Sequence, residues 1–485
     1  MQGNPLVNYK RNSELGSCQV PGAFEFVKHS QRRVRELLRQ GKYDDVALTD
    51  YGRLDQFIDF LDQMGFLKLL QERALPKGQN GIPNFLLSMV WTAKPLLGVG
   101  RVDDLRYMFK DAHVIRLLGF NFKQIRNGYS KRTGKNGTKP IHPNTARNFA
   151  TSLPVASAED LHNSVIQIIK SKKRIKPGTF ALDAKSIFID GKKFENAGRV
   201  FDHESRKMKT GYKLYLLQKV DKDEHYVICA MLTPANVNDT RCLIPMVDKA
   251  RAILGDGVIQ TLLLDRGFFD GSLLYKIKHD YGIDFIIPGK ENLDIVNDAI
   301  GIARHGDAEY HLRPVANKIR AIGIEDLETL SSYPGKVNMA LVEDRNIKKR
   351  DEERIYAYLT SLPIPDEHKA LEIYRTYRKR WTIENNANKE LADHWNITKL
   401  PGWSWNKINA HIFFTLMTFN SVLLFRSKFG RGVIGRSMKT IREKFLQEGQ
   451  KVVVYAGGYF GIFTIEEYDA LKSESAMARA SPTPA

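Results

Sequence analysis

The stretch LLLDRGFFDGSLLYKIKHDYGIDFIIPGK, Leu262 to Lys290, decides how the chain is read. The apolar run Ile259 to Leu264 reads as a strand, and Asp265 follows at its very end. Ser272 to Tyr281 has helical texture, and Asp284 to Ile287 reads as the next strand. Upstream, Thr179 to Ile189, Lys213 to Val220 and Tyr226 to Leu232 are short runs rich in β-branched and aromatic residues, divided by polar turns. They predict three consecutive antiparallel strands, and Thr240 to Leu254 has the spacing of a helix. The resulting order, βββαβαβ, predicts a mixed α/β sheet with helices packed on it.

The flanking sequence divides around this core. Residues 1–49 read as a flexible, polar N-terminal segment. Leu54, Phe57, Ile58 and Leu61 fall on one helical face, and the same texture continues through Phe85–Trp91, Asp103–Phe109 and Val114–Leu118. Asn121 to Pro140 reads as a Gly- and Lys-rich loop, with Asn144 as a cap beyond it. Residues 50–172 are thus expected to form an all-helical domain, and 173–291 the first part of the α/β core. Strand-like pieces at Glu309–Leu312, Lys318–Ile324, Val337–Val342 and Arg354–Leu359, with no strong helix among them, predict a β-rich insertion over 292–366. Residues 367–450 return to helix, as the second part of the core with C-terminal helices. Residues 451–485 read as a tail, with Gly457-Gly458 marking a frayed end.

Charge limits the partners. Lys plus Arg is 74 against 55 for Asp plus Glu, a net +19, which attracts polyanions at long range. The longest apolar tract, Ile412–Phe425, contains Thr415, Thr418, Asn420 and Ser421 and reads as a buried helix, so nucleic acid is the expected partner and no membrane is. Cys18, Cys229 and Cys242 form no paired motif, which speaks against a zinc knuckle or a disulfide framework and for a reducing, cytoplasmic setting. GYSKRTGKNGT from Gly128 fails as a phosphate loop: its glycine spacing is one residue too long, and Asn136 follows Lys135.

Three acids stand out by position: Asp183 within the first core strand, Asp265 at the end of the fourth, and Glu384 in the helical stretch YRTYRKRWTIENNANKEL. Strands one and four of such a sheet can be neighbours, and a later helix can bring a third carboxylate to the same edge. Three carboxylates suit Mg²⁺ or Mn²⁺, and two such ions can activate a water or hydroxyl and clamp a phosphodiester. Each acid also has a plainer reading. Asp265 can be a strand-end acid paired with Arg266, Asp183 a polar residue of a hairpin face, and Glu384 a surface acid. Asp190-Gly191 reads as a turn and Asp239 as an N-cap. Trp403 and Trp405 suit packing better than stacking on a base, and the basic runs 123–139, 170–176 and 426–451 suit solvated faces or phosphate contacts.

Taken together, these blocks resemble the DDE transposases of insertion sequences, which have a ribonuclease-H-like core. TPANVNDT, Thr233 to Thr240, is similar to the segment between the family's first two acids, and the opening stretch is similar to its second-Asp block. YRKRWTIE resembles the Tyr-x-x-Arg-x-x-x-Glu signature of the subgroup with a β-rich insertion before the Glu. The resemblance implies Asp183, Asp265 and Glu384 as catalytic, metal-binding residues for two Mg²⁺ or Mn²⁺ ions. It also implies Tyr377 and Arg380 as contacts to element-end phosphates. At about 100° per residue, Arg380 lies about 60° and Glu384 about 20° from Tyr377 on a continuous helix. Arg266 is a further candidate contact to DNA. The signature's Lys is replaced by Leu391; Asn388 and Trp395 lie on the same stripe. The implied function is metal-dependent cleavage of element ends and strand transfer to target DNA. The implied partners are double-stranded terminal repeats and target DNA, with a homodimer in the synaptic complex and the C-terminal helices as its contact. The implied location is the cytoplasm, on the nucleoid when bound to DNA. A transposase-derived DNA-binding protein without catalysis and a ribonuclease-H-like metal-dependent nuclease are the alternatives.

Overall fold

The computed structural model describes residues 27–480 except 74–81, 130–138, 192, 203, 221–224, 308, 310, 347–354, 384–387, 429–436 and 448. Its strands, in chain order, are β1 (Lys28–His29), β2 (Asp45–Thr49), β3 (Gly178–Ile189), β4 (Gly198–Asp202), β5 (Lys207–Lys219), β6 (Val227–Pro234) and β7 (Ile259–Leu264). They continue as β8 (Asp284–Pro288), β9 (Arg313–Ala316), β10 (Ile319–Leu327), β11 (Val337–Asp344), β12 (Ile355–Thr360), β13 (Lys451–Ala456) and β14 (Tyr459–Phe463). The chain forms two compact units, residues 1–168 with 391–485, and residues 169–390.

The second unit is built on one mixed sheet in the order β4-β5-β3-β7-β8-β12-β11-β10-β9, with β6 also paired to β5. β5 runs antiparallel to both β3 and β6, and β3, β7 and β8 run parallel. The order β6-β5-β3-β7-β8 is the arrangement of a ribonuclease-H-like core. β7 is central, so Leu262, Leu263 and Leu264 are all buried: a strand covered on both faces reads as a continuous apolar run.

Three details of this unit differ from the sequence reading. A further strand, β4, pairs with the first residues of β5; it is only five residues long, which hid it. The insertion opens with a helix, Asp294–His305, and its first strand is Arg313–Ala316, not Glu309–Leu312. The inserted strands also do not form a separate layer. β12 pairs antiparallel with β8, so the core sheet continues through β11, β10 and β9. The helix Glu367–Arg378 then packs on this extension, with Leu371, Tyr374 and Tyr377 joining Ala181, Leu263, Ile286, Ala340 and Val342 in one core.

In the first unit, the described residues between β2 and β3 form helices and no strand. Leu54, Phe57, Ile58 and Leu61 are all buried, as their spacing predicts. Phe122–Asn127 is a short helix closed by an Asn121–Gln124 capping box, where a loop was expected, and residues 130–138 of that basic loop lie outside the described residues. His142 caps the next helix with Pro143 at its first position, so Asn144 sits inside the turn. Trp405–Lys428 is long and apolar enough to cross a bilayer, but its apolar window is wholly buried, packed on the Asn84–Leu96 and Pro143–Ser152 helices. Burial makes it a core helix, as its polar residues led one to expect.

The chain ends of this unit also depart from expectation. β1, β14, β13 and β2 form a four-stranded sheet, so neither residues 28–49 nor residues 451–463 are loose segments. Gly457 and Gly458, at φ 56° and 79°, make the two-residue turn between β13 and β14. Two consecutive positive φ values are what such a hairpin demands, and paired glycines supply them without strain.

Candidate active site

β3 and β7 lie side by side with Leu182 paired to Leu264. The next residue on each strand is an acid, Asp183 and Asp265. Side chains alternate faces along a strand, so both acids leave the sheet on the face that carries Ala181 and Leu263, under the Glu367–Arg378 helix. The Asp183 side chain is 12% exposed and that of Asp265 49% exposed, so one acid is held within the fold and the other opens to solvent.

Arg380 joins them. Its Nη1 lies 3.5 Å from Asp183 Oδ1 and its Nη2 3.7 Å from Asp265 Oδ1. Its Nε donates to Tyr377 Oη at 3.1 Å. Both Tyr377 and Arg380 are buried. They share one face, as expected, although the helix ends at Arg378 and, after Lys379, a short helix runs from Arg380 to Ile383. Glu384 lies outside the described residues. Among the described residues, no group of three acidic, His or Cys side chains forms a metal-binding cluster.

Asn388 completes the surroundings of Asp183, donating from Nδ2 to Oδ2 at 2.6 Å. Its own Oδ1 accepts from Gln218 Nε2 at 3.0 Å. Sequence reasoning placed Asn388 on the stripe but gave it no role, and it passed over Gln218. Leu391, in the slot of the signature Lys, is fully buried, as is Trp395, and both belong to the first unit. The slot therefore holds a core side chain.

Arg266 is exposed, and Asp265 pairs with Arg380, not with Arg266 as its plainer reading had it. Asp239 neither caps its helix nor faces the acids: as N-cap it makes no side-chain hydrogen bond. Its Oδ1 accepts from Lys213 Nζ at 2.8 Å and from Tyr215 Oη at 2.7 Å. Tyr215 pairs with Ala184, one position on from Asp183, so this cluster lies on the opposite face of the sheet. Burial, then the hydrogen bond to Asp239, push the Tyr215 phenol far above its ordinary pKa and keep it a donor.

The cluster nonetheless supports the Asp265 turn from behind. Phe268 meets the Tyr215 ring edge-on at 6.1 Å between centroids. A Cβ on Gly267 would stand 2.5 Å from Asp239 Oδ2, so the carboxylate, held by Lys213 and Tyr215, would have to shift. Gly267→Ala is expected to lower the melting temperature by several degrees, about 1–3 kcal/mol by the cost of overpacking, and Asp239→Ala in the same chain should recover most of it.

Elsewhere in the first unit, Trp403 is exposed with Lys407 Nζ 5.3 Å from its ring centroid, so it is not a core residue, while Trp405 is half-buried. In the 170–176 run, Lys172, Lys173 and Lys176 are exposed, and Lys170 bonds the carbonyl of Leu254.

Comparison with known proteins adds the following. The family model described as "Transposase DDE domain" matches residues 175–421, just over half of the chain. No curated protein matches. Among solved structures, the chain is similar to a piggyBac transposase synaptic complex with hairpin DNA, determined by cryo-electron microscopy. That match has a TM-score of 0.41 at 12% identity and covers 93% of this chain and 82% of that one.

Proposed function

The chain belongs to the transposase DDE domain family, and from that premise we propose that it cuts DNA at the ends of a mobile element and joins them to target DNA, with Asp183, Asp265 and Glu384 as the acids. The observation that carries the reading is the placement of Asp183 and Asp265 on one face of adjacent parallel strands, both turned toward a single cation, Arg380.

The donor set fits a divalent metal. Two carboxylates present hard oxygens to one region, and the guanidinium between them already stands in for a positive charge there. Asp183 and Asp265 would hold Mg²⁺ or Mn²⁺, two ions in the full site, and Glu384 would complete the ligands. When bound, such ions supply Lewis acidity, lowering the pKa of an attacking water or hydroxyl and neutralising charge on the phosphodiester. The chain's own residues do the positioning. Asp183 is fixed within the fold, while Asp265 stays open to incoming DNA. Arg380, hinged beside Tyr377, can exchange its carboxylate partners for a phosphate oxygen, for which its planar fork is suited. Arg266, exposed next to Asp265, is placed for a second phosphate. In the first step water adds to phosphorus and a 3′-hydroxyl leaves. In the second that hydroxyl adds to a target phosphodiester, and a target 3′-hydroxyl leaves. The net charge of +19 supports binding of double-stranded ends and target. The helical N-terminal region is proposed to read the terminal repeats, with two copies of the chain holding two ends.

The test is an incubation of the full chain with a labelled duplex taken from inverted repeats flanking its coding region, a target plasmid, and Mg²⁺ or Mn²⁺. Metal-dependent cleavage and joining support the reading. Specific binding without cleavage favours the non-catalytic DNA-binding protein, for which Leu391 in the Lys slot is the motivating feature. Cleavage without joining favours the nuclease.

A further inference from the structure

We propose that Asn388, braced by Gln218, is a positioning residue that fixes the Asp183 carboxylate for its metal ion; the role rests on the function proposed above. Asn388 Nδ2 donates to Asp183 Oδ2 at 2.6 Å, and Gln218 Nε2 donates to Asn388 Oδ1 at 3.0 Å. Asn388 is 5% exposed and Gln218 0%. Gln218 pairs with Ala181 across β5 and β3, two positions from Asp183, so it rises from the same face of the sheet.

The direction of this row follows from chemistry. An ionised carboxylate only accepts hydrogen bonds, so Asn388 must offer it the NH₂ group. Its carbonyl oxygen then faces Gln218, which must also offer NH₂. Gln218 Oε1 is left buried, with no hydrogen-bond partner among the described residues. An unpaired buried oxygen costs about 1–3 kcal/mol; Met or Leu at this position would remove it but would leave Asn388 Oδ1, itself buried, without its donor. Gln218 therefore adds little net stability where it stands, and the group it serves is Asn388.

Two consequences follow for the site. With Oδ2 of Asp183 engaged by Asn388, Oδ1 is the oxygen turned to the Arg380 and Asp265 side. The donor is also neutral. An amide orients the carboxylate without cancelling its charge, whereas a Lys at the same place would compete with the ion.

The experiment measures Mn²⁺ binding to the DNA-free full chain by electron paramagnetic resonance, with melting curves alongside, for wild type, Asp183→Asn, Asn388→Leu, Gln218→Met and the double variant of the last two. Loss of a group that orients a metal ligand typically costs 10- to 100-fold in affinity, and a loss of about that size is expected for Asn388→Leu. Gln218→Met should weaken binding by about several-fold while leaving the melting temperature nearly unchanged, since it exchanges one buried unpaired oxygen for another, a split that a purely structural role does not produce. Because the two residues act in series, the double variant should bind no more weakly than Asn388→Leu alone. Unchanged affinity in both single variants, or losses that simply add, overturns the positioning role and leaves the proposed function standing. Wild-type chain whose Mn²⁺ binding is absent or indifferent to Asp183→Asn overturns both.

Discussion

Asp265→Asn is expected to lower end cleavage and strand transfer by about three orders of magnitude, roughly 4 kcal/mol of transition-state stabilisation, while the protein stays folded and still binds DNA. The substitution keeps shape and removes one negative charge from the place where a cation must be held. Its structural cost is small, because the Asp265 side chain is half-exposed and its ion pair with Arg380 is long at 3.7 Å. Asp183→Asn should be as damaging to chemistry but harder on the fold. Asp183 is buried and accepts from Asn388 on one oxygen while facing Arg380 with the other. An amide there sets an NH₂ group against one of two donors. The paired measurement is single-turnover cleavage beside a melting curve: Asp265→Asn should leave the melting temperature nearly unchanged, and Asp183→Asn should depress it.

The second large effect concerns the support of the helix that leads to the site. Asp344, at the end of β11, is fully buried and accepts from Tyr374 Oη at 2.7 Å and from the backbone and side chain of Asn346 at 3.0 Å. Arg378 Nη1 lies 3.6 Å away. These contacts tie the Glu367–Arg378 helix, just before Arg380, to the inserted part of the sheet. Asp344→Leu leaves the Tyr374 hydroxyl and the Asn346 amide without acceptors and should cost about 3 kcal/mol, read as a lower urea midpoint. Burial alone would raise the Asp344 pKa, but the hydrogen bonds from Tyr374 and Asn346 and the Arg378 charge outweigh it, and the carboxyl sits below its ordinary value of 3.8. A depressed carboxylate stabilises the fold above the unfolded-state pKa and loses that contribution as pH falls through the folded one. The stability gap between wild type and Asp344→Asn should therefore be full near neutrality and shrink on acidification below the ordinary carboxylate value. A gap that widens in acid would contradict the assignment.

What could be read without coordinates was what neighbouring residues dictate. Short apolar runs gave β3, β6, β7 and β8 close to their observed limits and the second half of β5, whose polar start from Lys207 was missed, and the strand order put Asp183 beside Asp265. The extension of the sheet was not legible, since nothing in the pattern of β12 says that β8 is its partner. Gly457-Gly458 carried a hairpin signal between two apolar runs, yet next to a polar tail it read as fraying. The break at Lys379 has no Pro or Gly to announce it. The row from Gln218 through Asn388 to Asp183 was beyond reach for another reason: Gln218 and Asn388 stand 170 positions apart, and only the folded sheet brings them together. Asp239 misled for the opposite reason. A local capping rule fitted it, and two donors on β5 outcompeted that cap.

The central claim, that the acids hold the metal directly, is tested most directly by Asp265→Cys, assayed for cleavage of a labelled element end in Mg²⁺ and in Mn²⁺. A thiolate binds hard Mg²⁺ poorly and the softer Mn²⁺ better. The account predicts almost no cleavage in Mg²⁺ and a partial return in Mn²⁺, with a Mn²⁺-to-Mg²⁺ rate ratio well above that of the wild type. A folded, DNA-binding variant whose ratio equals the wild-type ratio, or which cleaves at the wild-type rate in Mg²⁺, would contradict it.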